Sequence, residues 1–600
     1  MKPTIDNLKG TFQLSYDTYL ESRLQAEMIQ DMFEGDQYCS DILQELEEAG
    51  RPAEIFNVIR MFTRQLMGYY STVYNTVRVN PVQYNDINTA ALLNDIIKNV
   101  DRVSHTTAIN EQLRLDCILS GLMVHFIEAI PKKATDGEII TDEFGRTIYE
   151  VKKIPVHSRE ILLDPMSTEI DYSDGRFIHR YRWLTKEAAI DMFSKYKIDK
   201  LDANNEAIAS AFFDPMIEWQ NQYKDYDNYL IVHTIMREKD KTWSIYWSGD
   251  EILSKKEISY REVKNPYQVV KLQDTYKPKY YGIFKDVYQA QNAINQAILQ
   301  IQLMVNSNKV IVRKGAIADE DWEGFKKAII RVNAVLELDN PEDVSILNMS
   351  GDIAQQYLII DKAFDRIQRV LGINDSFLGI AYASDSGRKV KLQQNATMMA
   401  LRYMDVKFDL MFKLIGMDTV NLVKQFYTAN QVLRITDEST GDRWVEINKP
   451  LIDPETNAPV LYPETDPATG DMAQDEFGNY IVTPLKDPDT DIEFTEVDID
   501  LVSVAYNDDD EKNQLMLETM LNGPIGNMLA QANPAGYLKA GALVVRGMKS
   551  KYSDDIQNIL AQTSEMLSPQ QQQQLGQGGQ FPSQPKSQGL KLPQNTNEGM

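Results

Sequence analysis

The chain has 600 residues, of which 88 are acidic and 62 basic, giving a formal charge of −26. Proteins that grip nucleic acid through a basic face neutralise its phosphates with Lys and Arg, so this surplus of carboxylates argues against that class. A hydrophobic share of 43% excludes a wholly disordered chain, and the length suggests roughly four structural units.

The N-terminal fifth of the chain has a mainly helical pattern. Apolar residues recur at helical spacing from residue 15 to residue 49, with Gly35 as an interruption. Residues 52–73 predict a helix that begins at Pro52, and residues 86–120 predict one or two more. The first residues contain acids where a signal peptide needs an unbroken apolar stretch, so we expect no secretion signal. No window is apolar enough to predict a membrane span.

The next part of the chain reads as sheet. Residues 121–185 contain LMVHFIEAIP, TIYEVKKIPV and REILLDP, which resemble strands separated by polar turns. An antiparallel pair of strands follows at residues 229–249, joined through Lys239-Asp240-Lys241. The sequence therefore predicts an α+β region with sheet inserted between helices.

Two segments in the middle carry apolar stripes at helical spacing, residues 282–307 and 351–371. Between them, residues 308–350 read as strand, short helix, strand and strand. Neutral amides beside the first stripe suit packing against copies of the same chain, whereas burial in the chain's own core is the alternative. The candidates for subunit packing are Val287, Ile294, Ile301, Ile353, Ile360, Phe364 and Ile367.

The C-terminal third begins with a long helix, predicted from about residue 388 to residue 430 and starting near Ser386-Gly387. Two strands follow, and residues 450–493 form an acidic, proline-rich connection. Residues 509–566 return to a helical pattern, and the Gln- and Gly-rich end of the chain is expected to be disordered.

The sequence contains no recognisable active site and implies no cofactor. It lacks a phosphate-binding Gly-rich loop and a His-Glu-x-x-His motif, and its five histidines are far apart. Two cysteines, Cys39 and Cys117, cannot make a disulfide scaffold or a four-thiolate zinc site. The remaining enzyme signal is a set of carboxylate clusters that could hold divalent metals in an enzyme acting on nucleic acid. These clusters are Asp225 with Asp227, then Asp487, Asp489 and Asp491, and finally Asp508 to Asp510; a solvated acidic loop is the favoured reading of each.

Basic residues cluster at two places where they could meet phosphates or partner proteins. Arg388, Lys389 and Lys391 lie at the start of the long helix, where the helix dipole disfavours positive charge. The segment between the two stripes contains the other group, with ordinary solvated charge as the alternative reading for both. Its members are Arg313, Lys314, Lys326, Lys327 and Arg331, with Trp322 among them.

Several segments in matching order resemble a bacteriophage portal protein of the short-tailed phage type. They include RPAEIFNVI, IPVHSREILLDPMSTEIDYSDGRFIHRYRW, RVLGINDSFLGIAYASDSGRKVKLQQNATMMALRYMDVKFDLMF and VDIDLVSVAYNDDDEKNQLMLETM. The likeness extends over roughly residues 50 to 520. None of these segments is a catalytic signature, so the specificity lies in the ordered set.

The resemblance implies a ring of identical subunits, normally twelve, at the capsid vertex where head and tail meet in the virion. Double-stranded DNA would pass through it without sequence specificity, and terminase, tail or adaptor proteins, the major capsid protein and scaffolding protein would be its partners. The implied fold is α+β and mainly helical. The ring would be assembled in the host cytoplasm. Its parts are the wing (1–281), stem helices (282–307 and 351–371), clip (308–350), tunnel loop (372–388), a long helix with a β-rich return to the wing (389–508), crown (509–566) and disordered tail (567–600).

This resemblance assigns roles to the basic clusters. Arg388, Lys389 and Lys391 become candidates for the DNA channel, and the bases of the segment 308–350, with Trp322, become candidates for contacts to terminase or adaptor proteins. A different virion ring, such as a tail adaptor, fits less well, because the chain is long and has the helix–insert–helix pattern.

Overall fold

The structure is a computed structural model. The residues it describes are 2–48, 50–71, 74–83, 86–199, 201, 228–239, 241–263, 265–305, 310–314, 317, 322–329, 344–346, 350–378, 387–437, 441–463, 482–493, 497–504 and six single positions between 534 and 563. The chain divides into two compact units, one of residues 1–71 and 77–501, the other of residues 72–76 and 502–600. The second unit lies almost wholly outside the described residues, as do the predicted crown and C-terminal tail.

Five helices form the N-terminal part of the first unit. They are α1 (Ile5–Glu34), α2 (Ser40–Glu48), α3 (Val58–Ser71), α4 (Ile87–Val103) and α5 (Thr106–Ser120). The predicted interruption at Gly35 is confirmed: this glycine ends α1 with a φ of 107°, in the left-handed region. The predicted start at Pro52 is wrong, because the Asn57 side chain accepts the N–H of Arg60 at 2.8 Å and caps α3 there.

Two antiparallel sheets follow the helices. One has the order β3 (Tyr149–Val156), β2 (Leu122–Pro131), β9 (Tyr267–Lys271). The other runs β4 (Ile161–Leu163), β5 (Phe177–Thr185), β6 (Asn228–Glu238), β7 (Lys241–Ser248), β8 (Glu251–Glu257), with the short helices α6 (Lys186–Phe193) and α7 (Lys195–Ile198) after β5. The strand β1 (Tyr74–Pro81) pairs with the last strand, β16 (Val497–Val504).

The two striped segments are helices that pack against each other. They are α8 (Tyr288–Val305), preceded by a 3-10 turn over Ile283–Asp286, and α10 (Ser350–Leu371). The segment between them contains β10 (Val310–Val312), the helix α9 (Trp322–Ile329) and β11 (Val344–Ile346), and β10 pairs with β11 in antiparallel fashion. The prediction of an α/β segment between two helices is therefore confirmed, whereas its third strand falls outside the described residues.

A 40-residue helix, α11 (Gly387–Phe426), begins where the sequence predicted it. The hairpin β12 (Gln431–Asp437) and β13 (Gly441–Ile447) follows, and the short strands β14 (Leu461–Pro463) and β15 (Val482–Pro484) pair within the acidic connection. The long helix packs on the three-stranded sheet, and its apolar side joins the largest core together with α1, α3, α5, α8 and α10. The predicted α+β content is confirmed.

Candidate functional site

The helix pair α8 and α10 directs most of its apolar stripe toward the chain's own core. Val287, Ile294 and Ile367 are buried there, and the ring of Phe364 stacks on that of Phe62 with centroids 5.9 Å apart. In this conformation the three buried side chains leave no surface for a neighbouring subunit. Ile301, Ile353, Ile360 and Phe364 are half-buried, and for them a role in subunit packing stays a prediction.

Two amides of α8 are also used inside the chain. Gln291 is buried, and its Oε1 accepts the N–H of Val58 at 2.9 Å while its Nε2 donates to the carbonyl of Phe56 at 2.9 Å. The Nε2 also donates to Asn295, which donates in turn to Gln37 at 2.6 Å. The expectation that the amide face meets other copies is therefore wrong for Gln291 and Asn295, because both are bonded within the chain.

An exposed apolar stripe runs along the N-terminal half of α11. Leu392, Met399, Tyr403 and Val406 are spaced by 7, 4 and 3 residues, so they share one helix face, and their exposed fractions range from 41% to 77%. The stripe is not among the sequence predictions, which treat residues 388–430 only as one long helix. The signal was present in the heptad-like spacing of the four residues.

A second exposed apolar group lies on α10. Tyr357, Leu358 and Ile359 form a consecutive run on its outer side, and Val370, the last residue but one of the helix, is also exposed. Exposed charged residues follow the run along the helix, including Asp361 and Arg366. Both long helices therefore present apolar surface that the described part of the chain does not cover.

The predicted basic clusters are only partly described. Gly387 starts α11, so Arg388, Lys389 and Lys391 fall within its first turns, and the Lys389 side chain is exposed. The other two side chains, and residues 379–386 before them, lie outside the described residues.

In the segment between α8 and α10, Arg313, Lys314 and Trp322 are exposed, and the Trp322 ring stacks on that of Phe325 with centroids 5.9 Å apart. Lys326 and Lys327 belong to α9 without described side chains, and Arg331 lies outside the described residues. The structure therefore describes only part of each predicted cluster, and the roles of these residues stay predictions.

The carboxylate cluster at residues 487–491 forms a turn with partners of its own. Asp487 Oδ1 accepts the N–H of Asp489 at 3.2 Å, and Lys486 Nζ lies 3.4 Å from Asp491 Oδ1. Within the described ranges, no group of three or more His, Cys, Asp or Glu is arranged to hold a metal ion. Asp225, Asp227 and residues 508–510 lie outside those ranges.

The comparisons with known proteins decide the family. The sequence model of the phage P22-like portal protein family matches residues 9–598, nearly the whole chain. The chain belongs to the phage P22-like portal protein family. The curated portal protein of Helicobacter pylori bacteriophage KHP30 is 24% identical over 431 residues. That match covers 69% of this chain and 65% of the relative, so the chain spans just under two thirds of that protein's length.

Among solved structures, a chain from the neck of a native GTA particle computed with C12 symmetry is 10% identical, with a TM-score of 0.31. The match covers 64% of this chain and 79% of that one. A TM-score of this size does not establish a shared fold.

Membership in the portal family changes which features of the structure matter. Portal proteins are structural components of the phage virion, so the surfaces that meet other proteins matter more than enclosed pockets. Within the described part of the chain, exposed apolar or aromatic surface lies on the stripe of α11, on the outer side of α10 and around Trp322. No helix within the described part of the chain is both long and apolar enough to span a bilayer.

Proposed function

We propose that copies of this chain assemble into a closed ring, with twelve subunits as in its family, that forms the channel for genome packaging and ejection at one capsid vertex. The observation that carries this proposal is the exposed stripe Leu392, Met399, Tyr403 and Val406 on α11. Contiguous apolar surface of this kind on a folded chain is typical of a protein interface.

The geometry of the two long helices suits a head-to-tail contact. The stripe on α11 and the exposed run Tyr357 to Ile359 on α10 are different surfaces of one chain, so each can meet the other on a neighbouring copy. Such a heterologous contact generates a ring when the rotation between subunits closes. The half-buried members of the α8 and α10 stripes would complete the contact.

The charge of the chain fits a conduit for DNA rather than a clamp. Each copy contributes a formal charge of −26, and phosphate contacts repeated around a ring would hold the duplex instead of letting it slide. A mainly acidic wall repels the polyanion, with Arg388, Lys389 and Lys391 as the candidate exceptions near the channel.

The segment between α8 and α10 is the proposed docking site for terminase during packaging and for tail or adaptor proteins afterwards. Its exposed Arg313, Lys314 and Trp322 offer both charge and an aromatic surface, and aromatic and Arg side chains dominate binding energy at many interfaces. Lys326, Lys327 and Arg331 belong to the same proposal. The capsid and scaffolding proteins would contact other faces of the ring.

Genetic complementation tests the packaging function. A phage that lacks a working copy of this chain should assemble heads without packaged DNA, and the intact gene supplied in trans should restore filled heads. Infectious, DNA-filled particles made without the chain would contradict the proposal.

The channel role of the three bases has a separate test. Arg388→Ala, Lys389→Ala and Lys391→Ala combined should alter packaging yield or DNA retention while rings still form. Lys255→Ala with Lys256→Ala, which removes exposed bases from β8, is the control and should change neither. If the triple variant has unchanged packaging yield and DNA retention, these three residues have no role in the channel.

A further inference from the structure

A cavity of about 350 Å³ lies among residues of the two antiparallel sheets. One side comes from β2, β3 and β9, the other from β5, β6 and β7. The strand register places side chains in facing pairs around it: Glu128 is opposite Lys152, and Arg180 is opposite His233. The cavity is therefore built from regular strands and not from loops.

The cavity is basic in a chain that is strongly acidic. Among the lining residues that the structure describes, Lys152, Arg180 and Arg182 stand against one carboxylate, that of Glu128. Arg180 is bound to Glu160 outside the lining, with its Nε and Nη2 each 2.8 Å from the same Oε2. One carboxylate thus remains for Lys152 and Arg182.

The guanidinium of Arg182 makes no hydrogen bond or ion pair with any residue that the structure describes, although the residue is partly buried. It lies on the same face of β5 as Arg180, two residues away, and both guanidinium groups act electrostatically on Glu128 and His233. A partly buried guanidinium without a hydrogen-bonded partner is costly, because it has lost some of its water and its one counter-charge in the described lining, Glu128, is shared with Lys152 and Arg180. The fork of donors on Arg182 is suited to an oxyanion.

The cavity also has an aromatic group, His233, Tyr246 and Tyr267, whose members contact one another. His233 is held between the Tyr267 hydroxyl at 2.8 Å and Ser244 Oγ at 2.9 Å, and its ring stacks on that of Tyr246 at 4.2 Å. Burial, assisted by the two arginines, lowers the pKa of His233 to about 3, so the ring carries no charge at neutral pH. Burial raises the pKa of Tyr246 to about 12, so its hydroxyl keeps its proton and can donate a hydrogen bond.

We infer that this cavity binds a small oxyanion of the phosphate class, held chiefly by Arg182 and Lys152, with Arg180 adding positive charge. Lys152 and Met192 are exposed, so the cavity opens to solvent and an anion can enter without unfolding the sheets. The bound anion would neutralise the unpaired guanidinium and link β3 to β5, which belong to different sheets.

Glu128 opposes the anion and gives the site a pH dependence. It faces Lys152 on β3, Arg180 and Arg182 on β5, His233 on β6, Tyr246 on β7 and Tyr267 on β9, with Tyr260 nearby. Burial raises the pKa of Glu128 despite the three bases. An anion prefers the protonated form of Glu128, so binding takes up a proton, and affinity should rise as the pH falls through that pKa.

Isothermal titration calorimetry of the purified full chain with sulfate tests the site, since sulfate keeps its charge across pH 5–8. A chloride salt keeps the ionic strength the same in every titration. We expect saturable binding that strengthens toward pH 5, at least about tenfold weaker binding in Arg182→Gln, and tighter, pH-independent binding in Glu128→Gln. Arg64→Gln, which removes an exposed arginine from α3, is the matched control and should bind as the original chain does.

Absence of saturable sulfate binding, or equal affinity in Arg182→Gln, would overturn the inference. If Arg182→Gln fails to fold, Lys152→Gln takes its place because Lys152 is exposed; about threefold weaker binding is expected, with Lys256→Gln as its control. Inorganic phosphate and a deoxynucleoside monophosphate then serve as competitors. Displacement of sulfate by phosphate alone assigns a free oxyanion, displacement by both admits phosphate esters, and displacement by neither overturns the phosphate class.

Discussion

Gln291 on α8 accepts the backbone N–H of Val58, the first residue of α3, at a distance of 2.9 Å. The first N–H groups of a helix have no partner within the helix, so this side chain satisfies one of them from 233 residues away. The same amide donates to the carbonyl of Phe56. The contact ties the helix pair to the N-terminal helices.

Replacement of Gln291 should therefore destabilise the fold. Gln291→Ala removes one of the two acceptors of the buried Val58 N–H, which keeps only the Phe56 carbonyl at 2.9 Å, and it also removes the donor to that carbonyl. We expect this loss to cost about 1–3 kcal/mol of unfolding free energy. Urea denaturation measures the change, and hydrogen exchange over residues 52–62 should show faster exchange at Val58. Gln296→Ala removes an exposed amide from the same helix and should stay within about 0.5 kcal/mol. Equal stability of the two variants would remove Gln291 from this role.

Gly282 and Gly121 mark a place where two backbone segments come too close for a side chain. A Cβ on Gly282 would overlap the carbonyl oxygens of Ile118 and Leu119, and one on Gly121 would overlap that of Tyr281. Gly121 also has a φ of 80°, which favours glycine. This close approach packs the 3-10 turn that precedes α8 against the end of α5.

Alanine at this approach should be severely destabilising. We expect Gly282→Ala to cost at least about 3 kcal/mol, because the obstacle is backbone and cannot move aside. Gly10→Ala is the control: Gly10 lies inside α1 with open space around its Cα, so alanine should stabilise by about 0.5–1 kcal/mol. Thermal unfolding of the two variants measures these opposite signs, and a stable Gly282→Ala protein would contradict the packing described.

His179 should make the fold sensitive to acid. It is buried beside the rings of Phe12 and Phe177, bonded to the hydroxyls of Thr234 and Thr11, and burial lowers its pKa to about 3. Below pH 6.5 the unfolded chain takes up a proton there and the folded chain does not, so stability falls as the pH drops from 6.5 toward 3.

The matching variant is His179→Gln, which keeps polar atoms at the site without titrating. Between pH 7 and pH 5 the original chain should lose about 2 kcal/mol more unfolding free energy than the variant does. Urea denaturation at the two pH values measures the difference. Identical losses would show that His179 does not respond to pH as its burial requires.

Ring formation should depend on the stripe of α11. Met399→Glu with Val406→Glu places two charges in an apolar contact that repeats around the ring, so assembly should fall at least about tenfold. Leu14→Glu is the control, because Leu14 is an exposed apolar residue of α1 outside the stripe. Sedimentation velocity distinguishes rings from single subunits. If the double variant forms rings as well as the control does, the stripe has no role in assembly.

The sequence predicts the local elements of this fold better than their contacts. The start of α11 and the hairpin of β6 and β7 follow from spacing and turn residues, which act over a few positions. The partner of Gln291 could not be predicted, since an amide beside an apolar stripe fits a subunit contact as well as a distant helix start. The cavity at Arg182 forms where strands of two sheets meet, and no local sequence pattern predicts which sheets pack together.

Electron microscopy of the purified chain tests the proposed ring most directly. Averaged views along the symmetry axis should show a closed ring with a central opening, and the rotational symmetry should be twelvefold. A chain that remains a single subunit at every salt concentration and under crowding would contradict the ring.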